Sequence, residues 1–235
     1  MSTFIDLMPQ SLEVEEPDVP VDARPQQATV ETTTASNLER FADEQVRALV
    51  RNLYFAGSNP CRQVVFSGVD PKTEVSALCR GVANVLSSEA TGATCILDAG
   101  FLDQPDSRSF NSDQTRFGRL RDASLQISSR LWYMPSKVFR GGRGTSSAVW
   151  LKARLAELRL EFDYLVIQAA AGTTSQATLL AQLCDGLVLV VEANATRRIS
   201  AQKVRDMLAA AHVRLLGTVL SERTFPIPRA IYERV

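Results

Sequence analysis

Six apolar runs, each too continuous to alternate between a wet and a dry face, constrain this chain most. They are Gln63-Val-Val-Phe-Ser67, Thr94-Cys-Ile-Leu-Asp98, Leu131-Trp-Tyr-Met134, Tyr164-Leu-Val-Ile167, Gly186-Leu-Val-Leu-Val-Val191 and Leu215-Leu-Gly-Thr-Val-Leu220. A strand that is apolar throughout is one buried on both faces. Helical spacing fills several of the intervals. Val75, Leu78, Val82, Val85 and Leu86 share one side of Glu74 to Ser87, and Leu151, Leu155 and Leu158 share one side of Val149 to Leu160. Gln176 to Cys184 and Ile199 to Ala211 read the same way. Buried strands spaced by helices predict an α/β fold, a doubly wound and mostly parallel sheet flanked by helices.

The first 37 residues stand apart. They carry seven acids (Asp6, Glu13, Glu15, Glu16, Asp18, Asp22, Glu31) against Arg24 alone, with a Pro17 to Pro20 turn region and a threonine-rich stretch from Thr29 to Thr34. Such a segment buries too little apolar area to offset its ordering entropy, so a disordered acidic arm is expected over 1–37 and a single α/β domain over 38–235. That domain opens with a helix over 38–55, capped by Ser36 or Asn37, in which Leu38, Phe41, Val46, Leu49, Val50 and Leu53 recur at helical spacing. The polar stretch from Leu102 to Arg130 reads as an irregular surface excursion.

Twenty-six basic residues balance twenty-six acidic ones, which gives no electrostatic case for nucleic acid. No apolar run approaches the ~18 residues needed to cross a bilayer, and the N-terminus lacks the basic and apolar regions of a secretory leader, so a cytoplasmic location is expected. Four scattered cysteines (Cys61, Cys79, Cys95, Cys184) and the single His212 offer no plausible zinc ligand set, and read as buried reduced thiols.

In such folds the first strand-to-helix turn is the usual phosphate cradle. Here it is Ser67-Gly-Val-Asp-Pro-Lys-Thr-Glu-Val-Ser76. Set against Gly, four residues, Gly-Lys-Ser/Thr, the turn starts correctly at Gly68 and then places Thr73, Glu74 and Val75 where the last three positions belong. Glu74 puts an anion where a triphosphate needs a cation. Lys72 lies two positions early. The residues equally suit a plain connection in which Glu74 sits at the positive end of the following helix.

From Glu44 to the C-terminus, the order of elements resembles the bacterial tyrosine kinases of the CpsD/CapB type, relatives of the MinD-like phosphate-loop ATPases. Three late segments carry the resemblance: Glu161-Phe-Asp-Tyr-Leu-Val-Ile-Gln-Ala-Ala-Ala171, Asp185-Gly-Leu-Val-Leu-Val-Val-Glu-Ala-Asn-Ala-Thr-Arg-Arg198, and the tail from Leu215 through Phe225-Pro-Ile-Pro228 to Tyr232. The resemblance implies ATP, Mg²⁺ and tyrosine autophosphorylation in exopolysaccharide or capsule assembly. The implied site residues depart from it: Gln168 stands where a metal-ordering carboxylate belongs, Gly100 and Leu102 replace an Asp and an Arg, and Tyr232 is all that remains of a C-terminal tyrosine cluster. Asp98 keeps its implied role as base or metal carboxylate; as a plain strand-end Asp it would cap the next turn. Glu44, Arg47 and Arg51 are similar to the family's ring-forming element, with the second arginine one residue late.

The expected function is therefore a catalytically degenerate, kinase-like partner in polysaccharide biosynthesis, needing no cofactor. It would bind the cytosolic part of a membrane chain-length regulator (Wzz-like) or a catalytic paralogue, with homo-oligomerisation possible through the Glu44 face and no direct membrane insertion. An active autokinase using Lys72, Asp98 and Tyr232 with ATP and Mg²⁺ is one alternative. A MinD-like localisation module is the other, although Pro226 and Pro228 interrupt any C-terminal membrane helix.

Overall fold

A computed structural model describes residues 2–4, 43–56, 60–100, 119–140 and 147–221. The strands are β1 (Ser2–Phe4), β2 (Gln63–Gly68), β3 (Thr94–Asp98), β4 (Leu125–Ser128), β5 (Leu131–Met134), β6 (Tyr164–Gln168), β7 (Gly186–Glu192) and β8 (Leu215–Ser221). They form one sheet in the order β1-β8-β7-β2-β6-β3-β5-β4, parallel throughout except for the antiparallel β4–β5 pair. The helices are α1 (43–50), α2 (Ser76–Glu89), α3 (Ser136–Arg140), α4 (Ala148–Glu161), α5 (Ser175–Leu183) and α6 (Arg198–Ala210).

All six apolar runs became strands, and the reason is visible in how each divides its side chains. In β2, Val64 and Phe66 join one core with Ile96, Val166, Val188 and Val190, closed by Leu49 and Val50 of α1 and by Cys79, Val82 and Leu86 of α2. Val65 points the other way, into a core with Leu97, Leu165, Ile167 and Leu189 that is covered by α4, α5 and α6 through Leu151, Leu158, Leu180, Val204 and Leu208. Both sheet faces are dry, so neither surface tolerates the polar alternation of a half-exposed sheet.

Three features differ from the sequence reading. Within the expected disordered arm, the described residues Ser2–Phe4 form β1, paired in parallel with β8 from Ser2↔Thr218 to Phe4↔Leu220. Pairing gives the outer amides and carbonyls of β8 partners that an edge strand otherwise lacks. Within the expected irregular excursion, Leu125–Ser128 form β4, exposed at every position and attached to β5 through a register-shifting irregularity between Gln126 and Ser128. Third, α1 passes into a five-residue π-helical turn, Arg51–Phe55, whose wider ring is closed by the Ala56 N–H on the Arg51 carbonyl at 2.7 Å. The Ser36 or Asn37 cap, Leu38 and Phe41 lie outside the described residues, as does 101–118 of the excursion.

The amino ends of the strands are tied by carboxylates. Asp185 Oδ2, just before β7, accepts the backbone N–H groups of Arg62 (2.6 Å) and Gln63 (2.7 Å) at the start of β2, and Asp163 Oδ2 accepts that of Ala93 at 2.8 Å. No helix among the described residues is long and apolar enough to cross a membrane.

Candidate functional site

The carboxyl ends of β2, β3 and β6 bring several of the residues singled out above to one edge. Gly68 ends β2, Asp98 ends β3 and Gln168 ends β6, with Asp98 and Gln168 opposite each other in the register and Phe66 opposite Gln168 on the other side. The strand ends are cross-linked further by the Ala99 N–H on the Gln168 carbonyl (2.8 Å), the Ala169 N–H on the Phe66 carbonyl (2.9 Å), and Ser67 Oγ–H on the Ala170 carbonyl.

The loop after β2 folds tightly. A Cβ at Gly68 would meet the Thr73 Cβ at 2.6 Å, so the sixth residue of the turn lies directly on the first. The Thr73 N–H donates to the Asp70 carbonyl at 3.1 Å, and the Gly172 N–H reaches the Gly68 carbonyl at 2.8 Å. Asp70 is tied to the β7–α6 connection, its Oδ2 accepting from Thr196 Oγ1 at 3.1 Å. Thr73 is buried, with no hydrogen-bond partner at its hydroxyl, whereas Lys72 and Glu74 are exposed and Val75 is buried.

Glu74 takes up the start of α2. Its Oε1 accepts the Ser76 N–H at 3.2 Å and the Ser76 hydroxyl. The neighbouring helices show what this replaces: α4 is capped by Ser147, which accepts the Trp150 N–H, and α5 by Thr174, which accepts the Ala177 N–H. Val75, the residue flanking α2, has no side-chain oxygen to offer, so the carboxylate one position earlier supplies it. This shortens the helix expected from Glu74 to one beginning at Ser76. Glu74→Ala is expected to cost about 0.5–2 kcal/mol, the usual range for a lost cap, read as a lower urea midpoint. An unchanged midpoint would mean that the carboxylate contributes nothing to α2.

Asp98 is held by its own turn. Oδ1 accepts the Gly100 N–H at 3.0 Å, the turn-capping role open to a strand-end Asp, and Oδ2 accepts the hydroxyl of Tyr133 from β5 at 3.4 Å. Partial burial raises the Tyr133 pKa, and the Asp98 charge and hydrogen bond raise it further, so this hydroxyl stays protonated at neutral pH. Tyr133 was missed in the sequence because its approach to Asp98 depends on β5 lying beside β3.

The remaining residues lie elsewhere. Glu44, Arg47 and Arg51 are exposed along α1 and the start of the π-helical turn, on the sheet face that α2 also covers, and Arg51 pairs with Glu89 of α2 at 3.6 Å. Tyr232, Leu102 and the Phe-Pro-Ile-Pro tail lie outside the described residues. Two cavities among the described residues lie away from this edge. One of about 310 Å³ lies at the amino ends of β2, β6 and β7; another, of about 380 Å³, lies beside Arg119, Arg121, Leu160 and Glu161.

No protein-family model and no curated protein matches the sequence. Solved structures do match the fold. The chimerical protein CapA2B2 is 17% identical with a TM-score of 0.61, the match covering 77% of this chain and 85% of that one. The kinase domain of the Escherichia coli tyrosine kinase ETK is 14% identical with a TM-score of 0.58, covering 80% and 79%. The MinD cell division protein of Aquifex aeolicus is 14% identical with a TM-score of 0.51, covering 74% and 72%. At these identities the likeness speaks for architecture: this chain has the phosphate-loop NTPase-like fold that bacterial tyrosine kinase domains share with MinD.

Proposed function

We propose that this chain is a catalytically silent, kinase-like protein that works by binding partners and does not transfer phosphate. The observation that carries the reading is the Glu74 carboxylate on Ser76 at the head of α2, the position from which this fold would present its amides to a phosphate. Two like charges ~4 Å apart repel by roughly 4 kcal/mol at an effective dielectric near 20. That exceeds the ~0.3–1 kcal/mol which a helix N-terminus offers an exposed anion.

Other positions support it. Val75 has no hydroxyl for a magnesium ion, and Gln168 brings a neutral amide where a carboxylate would order the metal's waters. Asp98 is engaged by Gly100 and Tyr133. The residues present therefore do not suit ATP with Mg²⁺, and no step is assigned through them. The dry cores on both sheet faces leave the scaffold intact for a binding role. The partner is the cytosolic part of a membrane chain-length regulator of polysaccharide assembly, or a catalytic paralogue, which the chain meets in the cytoplasm at the inner membrane face. The Glu44, Arg47 and Arg51 surface is available for self-association.

Calorimetric titration of Mg·ATP into the purified protein tests this directly. No heat at millimolar nucleotide and no phosphotyrosine after incubation are expected. Micromolar binding that disappears in Lys72→Ala, or a phosphotyrosine signal that Tyr232→Phe abolishes, would overturn the reading in favour of an active autokinase.

A further inference from the structure

We propose that the solvent-facing side of α4 is a self-association surface, on which a second copy of this chain packs its own α4 in parallel to form a two-fold symmetric dimer. The inference stands apart from the functional reading above, and the surface lies on the sheet face opposite the Glu44, Arg47 and Arg51 side. Leu151, Leu155 and Leu158 turn one side of α4 into the core. The other side carries Val149, Ala153, Ala156 and Leu160, all exposed, with Val149 80% and Leu160 88% open to solvent.

These four follow one another at intervals of four, three and four residues, the a/d seam of a two-stranded coiled coil. A surface helix of a single chain needs one apolar stripe, the one that meets its core. The second stripe of α4 is unused. The other long helices have no such stripe: the same spacing from the exposed Ile199 of α6 reaches Lys203 and Asp206, and the exposed side of α2 carries Arg80, Asn84 and Ser88. Ala153 and Ala156 put small side chains at the middle of the stripe, which lets two helix axes approach to about 8 Å, and Val149 and Leu160 close its ends.

Charge selects both the occupant and its direction. Lys152 and Glu157 flank the seam on opposite sides, five residues apart, at the g position of one heptad and the e position of the next. In a parallel pair related by a two-fold axis, Lys152 of each copy faces the partner's Glu157, so one sequence supplies two opposite-charge contacts. Antiparallel packing would instead set Lys152 against the partner's Arg159, cation on cation. Lys152 and Glu157 are both exposed. Lys152 pairs with no acid among the described residues, and Glu157 gives Oε2 to Arg154 at 2.7 Å while retaining Oε1. A face whose charges complement their own image under a two-fold rotation fits a copy of itself.

Sedimentation equilibrium of the full-length chain at low salt, from about 1 to about 300 µM, tests this over a span suited to an interface one helix wide. The mass should rise with concentration from that of one chain to that of two. Ala153→Glu, which sets like charges against each other across the axis, and Lys152→Glu, which turns both attractions into repulsions, should each weaken the dimer about tenfold, and Lys152→Glu with Glu157→Lys should restore it. Ala153 and Lys152 are exposed, so both single variants should melt like the parent at dilute concentration. Direction is read by Val149→Cys under mild oxidation. Parallel helices place the two Cα atoms of position 149 within disulfide reach, whereas antiparallel ones leave them about 16 Å apart, so a cross-linked dimer that the parent does not form is expected. A chain that stays single at the highest concentration, a dimer that Ala153→Glu leaves intact, one that Arg47→Glu abolishes, or a Val149→Cys variant that does not cross-link overturns the proposal.

Discussion

Raising the pH from about 9 to about 11 is expected to remove roughly 5 kcal/mol of folding stability, more than any single substitution considered above. Cys79 and Cys95 are fully buried, and burial pushes both thiols far above their usual range. The Asp98 and Glu74 charges push Cys79 further up, while a hydrogen bond to the Met134 backbone slightly offsets the shift at Cys95. In the unfolded chain both thiols ionise near the ordinary thiol value of 9.0, whereas in the folded protein they remain protonated.

Above about pH 9 the folded state therefore binds more protons than the unfolded one, and stability falls as pH rises. Well above pH 9 each thiol contributes about 1.4 kcal/mol per pH unit, and about half of that at pH 9 itself, so Cys79 and Cys95 together lose roughly 5 kcal/mol over the two units. The loss is absent below the unfolded pKa and continues until the folded thiols themselves ionise. Urea midpoints measured across this range check it, and Cys79→Ala should flatten the slope by about a third, because Cys184 contributes in the same direction. A pH-independent midpoint would show that these thiols titrate alike in both states. Cys184 behaves similarly in direction, pushed up to about 12 by burial, with the Arg159 charge opposing.

Gly186→Ala should lower stability by about 3 kcal/mol, equivalent to roughly 6–12 °C in Tm for a domain of this size. Gly186 opens β7 at φ +153°, between β2, where it lies opposite Val64, and β8. An added Cβ would stand 2.6 Å from the Arg214 carbonyl oxygen and 2.7 Å from the Leu216 Cγ. The first of these is backbone that already accepts the Leu187 N–H at 2.9 Å, so relief requires β7 and β8 to separate at their shared end. Comparing thermal midpoints of the two proteins decides the matter, and a drop under about 2 °C would mean that the strand ends move apart at little cost.

The strands that form the dry middle of the sheet were legible because burial on both faces leaves a continuous apolar run. β4 was not. Leu125 and Ile127 are 65% and 53% exposed, so its place is set by backbone pairing to β5, which leaves no run to read. α3 is a single short helix anchored by buried Phe139, too brief for periodicity to register. At the candidate site, Glu74 could be judged from one position in a pattern. The Asp98–Tyr133 contact and the Asp70–Thr196 tie depend on the order β7-β2-β6-β3-β5, which local sequence does not encode.

Gln63 begins and Gly68 ends the same strand, about 17 Å apart along a backbone enclosed on every side. Such a rod cannot bend without disturbing both cores, so a push at its base arrives at its tip as a rigid displacement. Thermodynamic reciprocity then requires that whatever occupies one extremity and prefers one setting of the rod is favoured or opposed, in equal measure, by what engages the other.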